Sequence, residues 1–252
     1  MMSLLRSDLL KTRKRAAGWA MLAIGAALIA LGLVITIFAP ADGDLPSFAF
    51  PGGLLFGAQV IGQLGSLMMV VFGATLVGSE YGFDTWKNML TRRPGRVAFI
   101  LSKWITLALG LLIATIALPL WAQALGAALG GLLPASTSVA PPLGTALLQV
   151  ALSALAPLAA GTIGVLGAVI GRSSVGGIVA GIAWLIVDAV LASILPGGLK
   201  LLSLNVALSS FGMNLVGEAA PFGLLPSLLV VAAYLVAPLA LAAYLFRARD
   251  MV

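Results

Sequence analysis

The chain has 252 residues, of which 61% are hydrophobic and 9% charged, with a net charge of +6. An ordinary soluble domain is roughly a quarter charged, so this composition excludes a water-soluble globular fold and places the chain in a bilayer. With no histidine and no cysteine, the usual general base, the commonest metal ligand, thiolate chemistry and disulfides are excluded too.

In chain order, residues 3–15 come first. Leu5 and Leu9 share a helix face, and Arg6, Lys11, Arg13, Lys14 and Arg15 form a basic cluster. The pattern predicts an interfacial helix resting on anionic membrane lipids. A basic run directly before a membrane helix is most simply a topological anchor, so no nucleic-acid partner is expected. Crossing a hydrocarbon core of about 30 Å takes about 20 apolar helical residues. Six runs reach that length, roughly 17–38, 57–78, 98–125, 144–171, 175–195 and 223–246. They lack the period-2 alternation of barrel strands, so the expected fold class is all-α: a polytopic six-transmembrane-helix bundle forming one domain over 1–252. The first run, with bases before it and Ala39-Pro40-Ala41 after it, looks superficially like a secretory signal. Its apolar stretch is longer than a typical h-region, and it is expected to be retained as a helix.

The bases sort the loops. Lys87, Arg92, Arg93 and Arg96 lie between the second and third spans and Lys103 near the start of the third, Arg172 between the fourth and fifth, and Arg247 and Arg249 after the sixth; only Lys200 falls on the other face. The positive-inside rule then predicts a multi-pass plasma (inner) membrane protein with both termini cytoplasmic. Segment 196–222 could disturb the count. At helical spacing, Lys200, Ser203, Ala207, Ser210, Asn214 and Glu218 make a weakly polar stripe, and Leu201, Leu204, Leu208, Phe211 and Leu215 an apolar one. That suits an outer re-entrant or interfacial segment between the fifth and sixth spans.

Segment 79–96 is the largest expected cytoplasmic connection. Phe83, Trp86 and Leu90 fall at i, i+3 and i+7, Asp84 suits the first turn, Lys87, Arg92 and Arg93 sit toward the far end, and Pro94-Gly95 stops the run. A short amphipathic helix over 83–92 follows. It could dip into headgroups as an aromatic and basic anchor, or dock a cytoplasmic protein. Here the chain resembles the ABC-2 type permeases, the membrane subunits of many ATP-driven exporters. The resemblance is carried by Glu80, Thr85, Trp86, Lys87, Leu90, Thr91, Arg96 and Lys103, and by the whole layout from basic lead-in to Arg-bearing tail. Asp84 replaces a glycine usual in the family, and Arg92-Arg93-Pro94-Gly95-Arg96 its usual Ser-Arg ending.

The resemblance implies that 83–92 is the coupling helix, seated in a groove of an ABC ATPase (nucleotide-binding) subunit, with Glu80, Phe83, Asp84, Thr85, Trp86, Lys87, Leu90, Arg93 and Arg96 as its contact set. It further implies a second permease copy or a homologous permease, and ATP and Mg on the partner with no cofactor in this chain. The sequence agrees in having no G-x-x-x-x-G-K-[ST] stretch. Gln59, Gln63, Gln123, Gln149 and Asp188 fall in the outer halves of their spans and are candidates for an outward vestibule lining a substrate pathway; the alternative is that the amides tie helices together. Gly161, Gly164, Gly167 and Gly171 mark a close-packing face, and Pro119, Pro157 and Pro238 mark kinks. The expected function is a permease subunit exporting a hydrophobic or amphipathic substrate, with no catalytic or metal-binding residues of its own. Alternatives are a non-transporting anchor or sensor for an ATPase or kinase, and an intramembrane enzyme, which would need an aspartyl dyad or a Ser-Lys pair.

Overall fold

Backbone polar groups in hydrocarbon must be satisfied internally, which makes helix formation obligatory for the long apolar runs. The computed structural model describes residues 2–14, 16–38, 49–82, 95–129 and 142–248, and every regular element among them is helical. In order these are α1 (Met2–Lys14), α2 (Ala16–Phe38), α3 (Gly52–Gly82), α4 (Arg96–Ala128), α5 (Leu143–Ser153), α6 (Leu155–Gly171), α7 (Ser174–Ile194), a 3₁₀ helix (Gly197–Leu202), α8 (Leu204–Val216) and α9 (Leu224–Ala248). Six spans are long and apolar enough to cross a membrane: α2, α3, α4, α5 joined to α6, α7 and α9. An even number of crossings brings the beginning of α2 and the end of α9 to the same end of the bundle, the end that carries α1.

The fourth span is one crossing made of two helices. Pro157 has no N–H to give the Ser153 carbonyl, and Ala154 turns its own N–H to Ala151 O at 3.4 Å, so the chain bends between α5 and α6. Pro119 and Pro238 sit inside α4 and α9 without ending them. The bundle is built around α3 and the fourth span: the buried share is 61% in the fourth span and 50% in α3, falling to 11% in α9. The peripheral helices present their large side chains to lipid, as Val175, Val179 and Ile186 do on α7.

Small residues set the close approach at the centre. A Cβ on Gly164 would stand 2.5 Å from Val70 O, one on Gly167 2.6 Å from the Ala180 Cβ, and one on Gly171 3.0 Å from the Gly176 Cα. Gly73 meets the Gly161 carbonyl in the same way. With lipid as apolar as leucine, such close backbone packing is what holds membrane helices together. Gly73→Ala is therefore expected to destabilise the bundle by about 1–3 kcal/mol. Gly62→Ala, on the same helix with nothing within 4 Å of the new carbon, should instead stabilise by up to about 1 kcal/mol through helix propensity. Thermal unfolding of the two variants in one detergent reads both signs.

Segment 196–222 contributes the 3₁₀ helix and α8. The 13 residues of α8 rise about 20 Å, short of the roughly 30 Å of hydrocarbon. Its buried residues are Leu204, Ala207 and Ser210, beside a buried Ser203. Of the weakly polar stripe, Ser203, Ala207 and Ser210 thus face the bundle together with Leu204 of the apolar one, while Lys200, Leu215 and Glu218 are exposed. Leu204 and Ala207 pack there with Ala159 of α6 and Val231 of α9.

Candidate functional site

Glu80 stands in the last turn of α3, where a carboxylate opposes the helix dipole and calls for a cation. Lys103, two turns into α4, supplies it: Nζ donates to Glu80 Oε1 at 2.8 Å. The same Nζ donates to Asp8 Oδ1 of α1 at 2.6 Å. Ser102 Oγ donates to Asp8 Oδ2 at 2.6 Å, and Lys11 Nζ to Glu80 Oε1 at 3.0 Å. Lys103, Glu80 and Asp8 are 2%, 1% and 3% exposed, while the Lys11 side chain is 34% exposed and reaches solvent. Each buried charge here is paired with an opposite one, which is the condition under which charges can be buried at all.

The arrangement fastens three elements at one point. α1 is held through Asp8 and Lys11, the end of α3 through Glu80, and the beginning of α4 through Lys103 and Ser102. The Lys103 Nζ also lies 5.2 Å from the centroid of the Phe99 ring, and Phe99 stacks on Phe246 of α9 at 5.2 Å and 11°. Whatever pulls on the connection between α3 and α4 therefore pulls directly on α1 and, through the rings, on α9.

Glu80 and Lys103, the two residues flanking that connection in the sequence resemblance, are thus bonded to each other. A family model described as an ABC-2 family transporter protein matches residues 4–188, well over half of the chain and the whole of this ion network. The chain belongs to the ABC-2 transporter family. It is a multi-pass permease subunit of an ABC transporter, the membrane component rather than the catalytic one, and membership implies an ABC ATPase partner and typically a dimer. No curated protein is a significant match to the chain.

Of the ABC-2 contact set read from sequence, Phe83, Asp84, Thr85, Trp86, Lys87, Leu90 and Arg93 lie outside the described residues; Arg96 begins α4, and Glu80 belongs to the network. Asp8, Lys11 and Ser102 were missing from that set. A signal existed: Asp8 is the lone acid of the basic lead-in and falls on the stripe of Leu5 and Thr12 at spacings of three and four.

The five polar residues proposed for a pathway are not gathered at one point. Gln59 and Gln63 are exposed on α3, and Gln149 is exposed on α5. Because Gly65 packs against Pro157 and α3 runs in the same direction as the fourth span, Gln59 and Gln149 come level within about a turn. Gln123 lies on α4 against the beginning of α3, where a Cβ on Gly53 would be 2.9 Å from its Oε1.

Asp188 is buried at 1% exposure and engages the beginning of α8. Its Oδ1 accepts the Leu204 N–H at 2.6 Å, and its Oδ2 accepts Asn205 Nδ2 at 2.6 Å and the Asn205 N–H at 3.4 Å. The carboxylate thus caps α8 from α7, with charge matched to the helix dipole. Tyr234 of α9 secures the same corner by donating to Leu202 O at 2.7 Å. Asp188→Ala is expected to destabilise by about 2 kcal/mol and to speed protease cutting within 196–222, whereas Asp188→Asn keeps an acceptor and should lose less. Equal cutting in parent and Asp188→Ala would remove this capping role.

Proposed function

We propose that this permease exports a hydrophobic or amphipathic substrate across the plasma membrane, as one of two copies or beside a homologous permease. Both termini and the α3–α4 connection lie in the cytoplasm. A separate ATPase chain docks on 83–92 and carries the ATP and Mg; this chain contributes neither. The observation that supports the reading most is the buried Asp8–Lys103–Glu80–Lys11 network, which makes the base of the α3–α4 connection stiff at the one place where a motor would have to push. A loop that only touched headgroups would gain nothing from three nearly unexposed charges beneath it.

The exposed Gln59, Gln63 and Gln149 support a pathway or a second copy along α3 and α5, since amides facing hydrocarbon alone are costly. Docking is tested by purifying the permease with its ATPase. Trp86→Asp with Leu90→Asp should lower recovery of the ATPase more than about tenfold, the equivalent of 1.4 kcal/mol, while membrane insertion is unchanged. Retention of the ATPase by this double variant would end the docking assignment.

A further inference from the structure

Between α2 on one side and α3 and α4 on the other lies a cavity of about 380 Å³, closed at one end by Leu9 and Thr12 of α1. Gly18, Gly25, Gly65 and Gly110 are among its lining residues, as are the exposed Trp19, Leu64 and Ile113. Its volume is at the small-ligand end of binding sites, and a helix about 10 Å across does not fit. The hydroxyls in its wall are already spent: Thr12 Oγ1 donates to Asp8 O and Thr106 Oγ1 to Ser102 O, each at 2.9 Å. The part of an occupant held here is therefore hydrocarbon.

Hydrocarbon alone selects nothing, because bilayer tails are as apolar as the groove. Selection has to come from the head of the molecule, at the α1 end. There Arg6 is exposed on the helix face of Leu9, three residues away, whereas Lys11 is turned to Glu80. Residues 6–15 carry five bases against the single acid Asp8, an excess that suits a phosphate and repels a cationic head. We infer that the groove holds one acyl chain of an anionic phospholipid drawn from the bilayer, its phosphate beside Arg6. The site is separate from the ATPase-docking segment and stands or falls without it.

The test uses the full chain in nanodiscs of equal phosphatidylglycerol and phosphatidylcholine with identical tails, one lipid at a time carrying a tail diazirine. Tagged phosphatidylglycerol should label the peptide bearing Leu64 and Met68 about fivefold more than tagged phosphatidylcholine, the preference that one basic residue near the surface gives. Arg6→Gln should bring that ratio close to one. Gly18→Phe, whose new Cβ meets only Thr12 at 3.6 and 3.9 Å, should abolish labelling with either lipid by filling the groove. Should that variant fail to fold, the unaltered chain decides: equal labelling by the two lipids, or equal labelling of the lipid-facing surfaces of α7 and α9, overturns the site. The chain has no cysteine, so Leu64→Cys tests the other occupant directly; crosslinking between two copies through that position would show the groove covered by protein and would also overturn it.

Discussion

Replacing Lys103 with methionine should damage this permease more than any other single change in the ion network. The substitution keeps the volume and removes the cation that Asp8 and Glu80 share at 2.6 and 2.8 Å. Asp8 and Glu80, each no more than 3% exposed, then lose the cation that joins them, and Asp8 keeps only the Ser102 hydroxyl among the described residues. Breaking a buried ion cluster by removing one partner costs about 3–5 kcal/mol, a large part of a typical stability of roughly 5–15 kcal/mol. The expected result is a sharp fall in the thermal midpoint in detergent and poor yield. Lys103→Arg keeps the charge but forces a wider fork into the same space, so it should fall between.

The triple variant Asp8→Asn, Lys103→Met, Glu80→Gln distinguishes charge imbalance from lost packing. With every buried charge gone, the penalty of burying them goes too, and stability should return to within about 1–2 kcal/mol of the parent. A Lys103→Met protein that melts with the parent would show that the cluster contributes nothing to the fold.

The six crossings were legible because bilayer thickness acts on every span alike, and run length reads it directly. Helix ends were not: the apolar run over 57–78 became the helix Gly52–Gly82. Hydropathy reports contact with lipid, while a helix continues as long as its hydrogen bonds do. The break at Ala154 was foreshadowed by Pro157. The two stripes on 196–222 were read as separate faces, whereas the buried contact mixes Ser203, Ala207 and Ser210 with Leu204.

The site was half legible for a comparable reason. Glu80 and Lys103 stood out through the resemblance, whereas Asp8 vanished into the net charge of the lead-in. Its role depends on α1 meeting α4 across 95 positions of sequence, at the Lys103 contact, and no local pattern encodes that meeting. Asp188 was read as a candidate for an outward vestibule; its carboxylate is bonded to the beginning of a helix 16 positions on. Naming that partner in advance would have required knowing where α8 begins.

Asp8→Ala should separate movement from fuel. The substitution leaves the Lys103–Glu80 pair intact and one positive charge in excess, but Lys11 is 34% exposed and can turn to water. The stability cost should therefore be only about 1–3 kcal/mol, less than for Lys103→Met. What is lost is the tie between α1 and α4, together with the acceptor for Ser102 Oγ. If the ATPase docks on 83–92 as proposed, its push then reaches α4 while α1 slips. Transport by the reconstituted complex should fall about tenfold, a loss of about 1.4 kcal/mol of coupling, while ATP hydrolysis stays within about twofold of the parent. Asp8→Asn, which keeps an acceptor for Ser102 without the charge, should lie between. A parallel fall in flux and hydrolysis would mark a folding defect instead. Flux unchanged by Asp8→Ala would show that the Asp8–Lys103 tie carries no movement and would leave α1 the plain role of a lipid anchor.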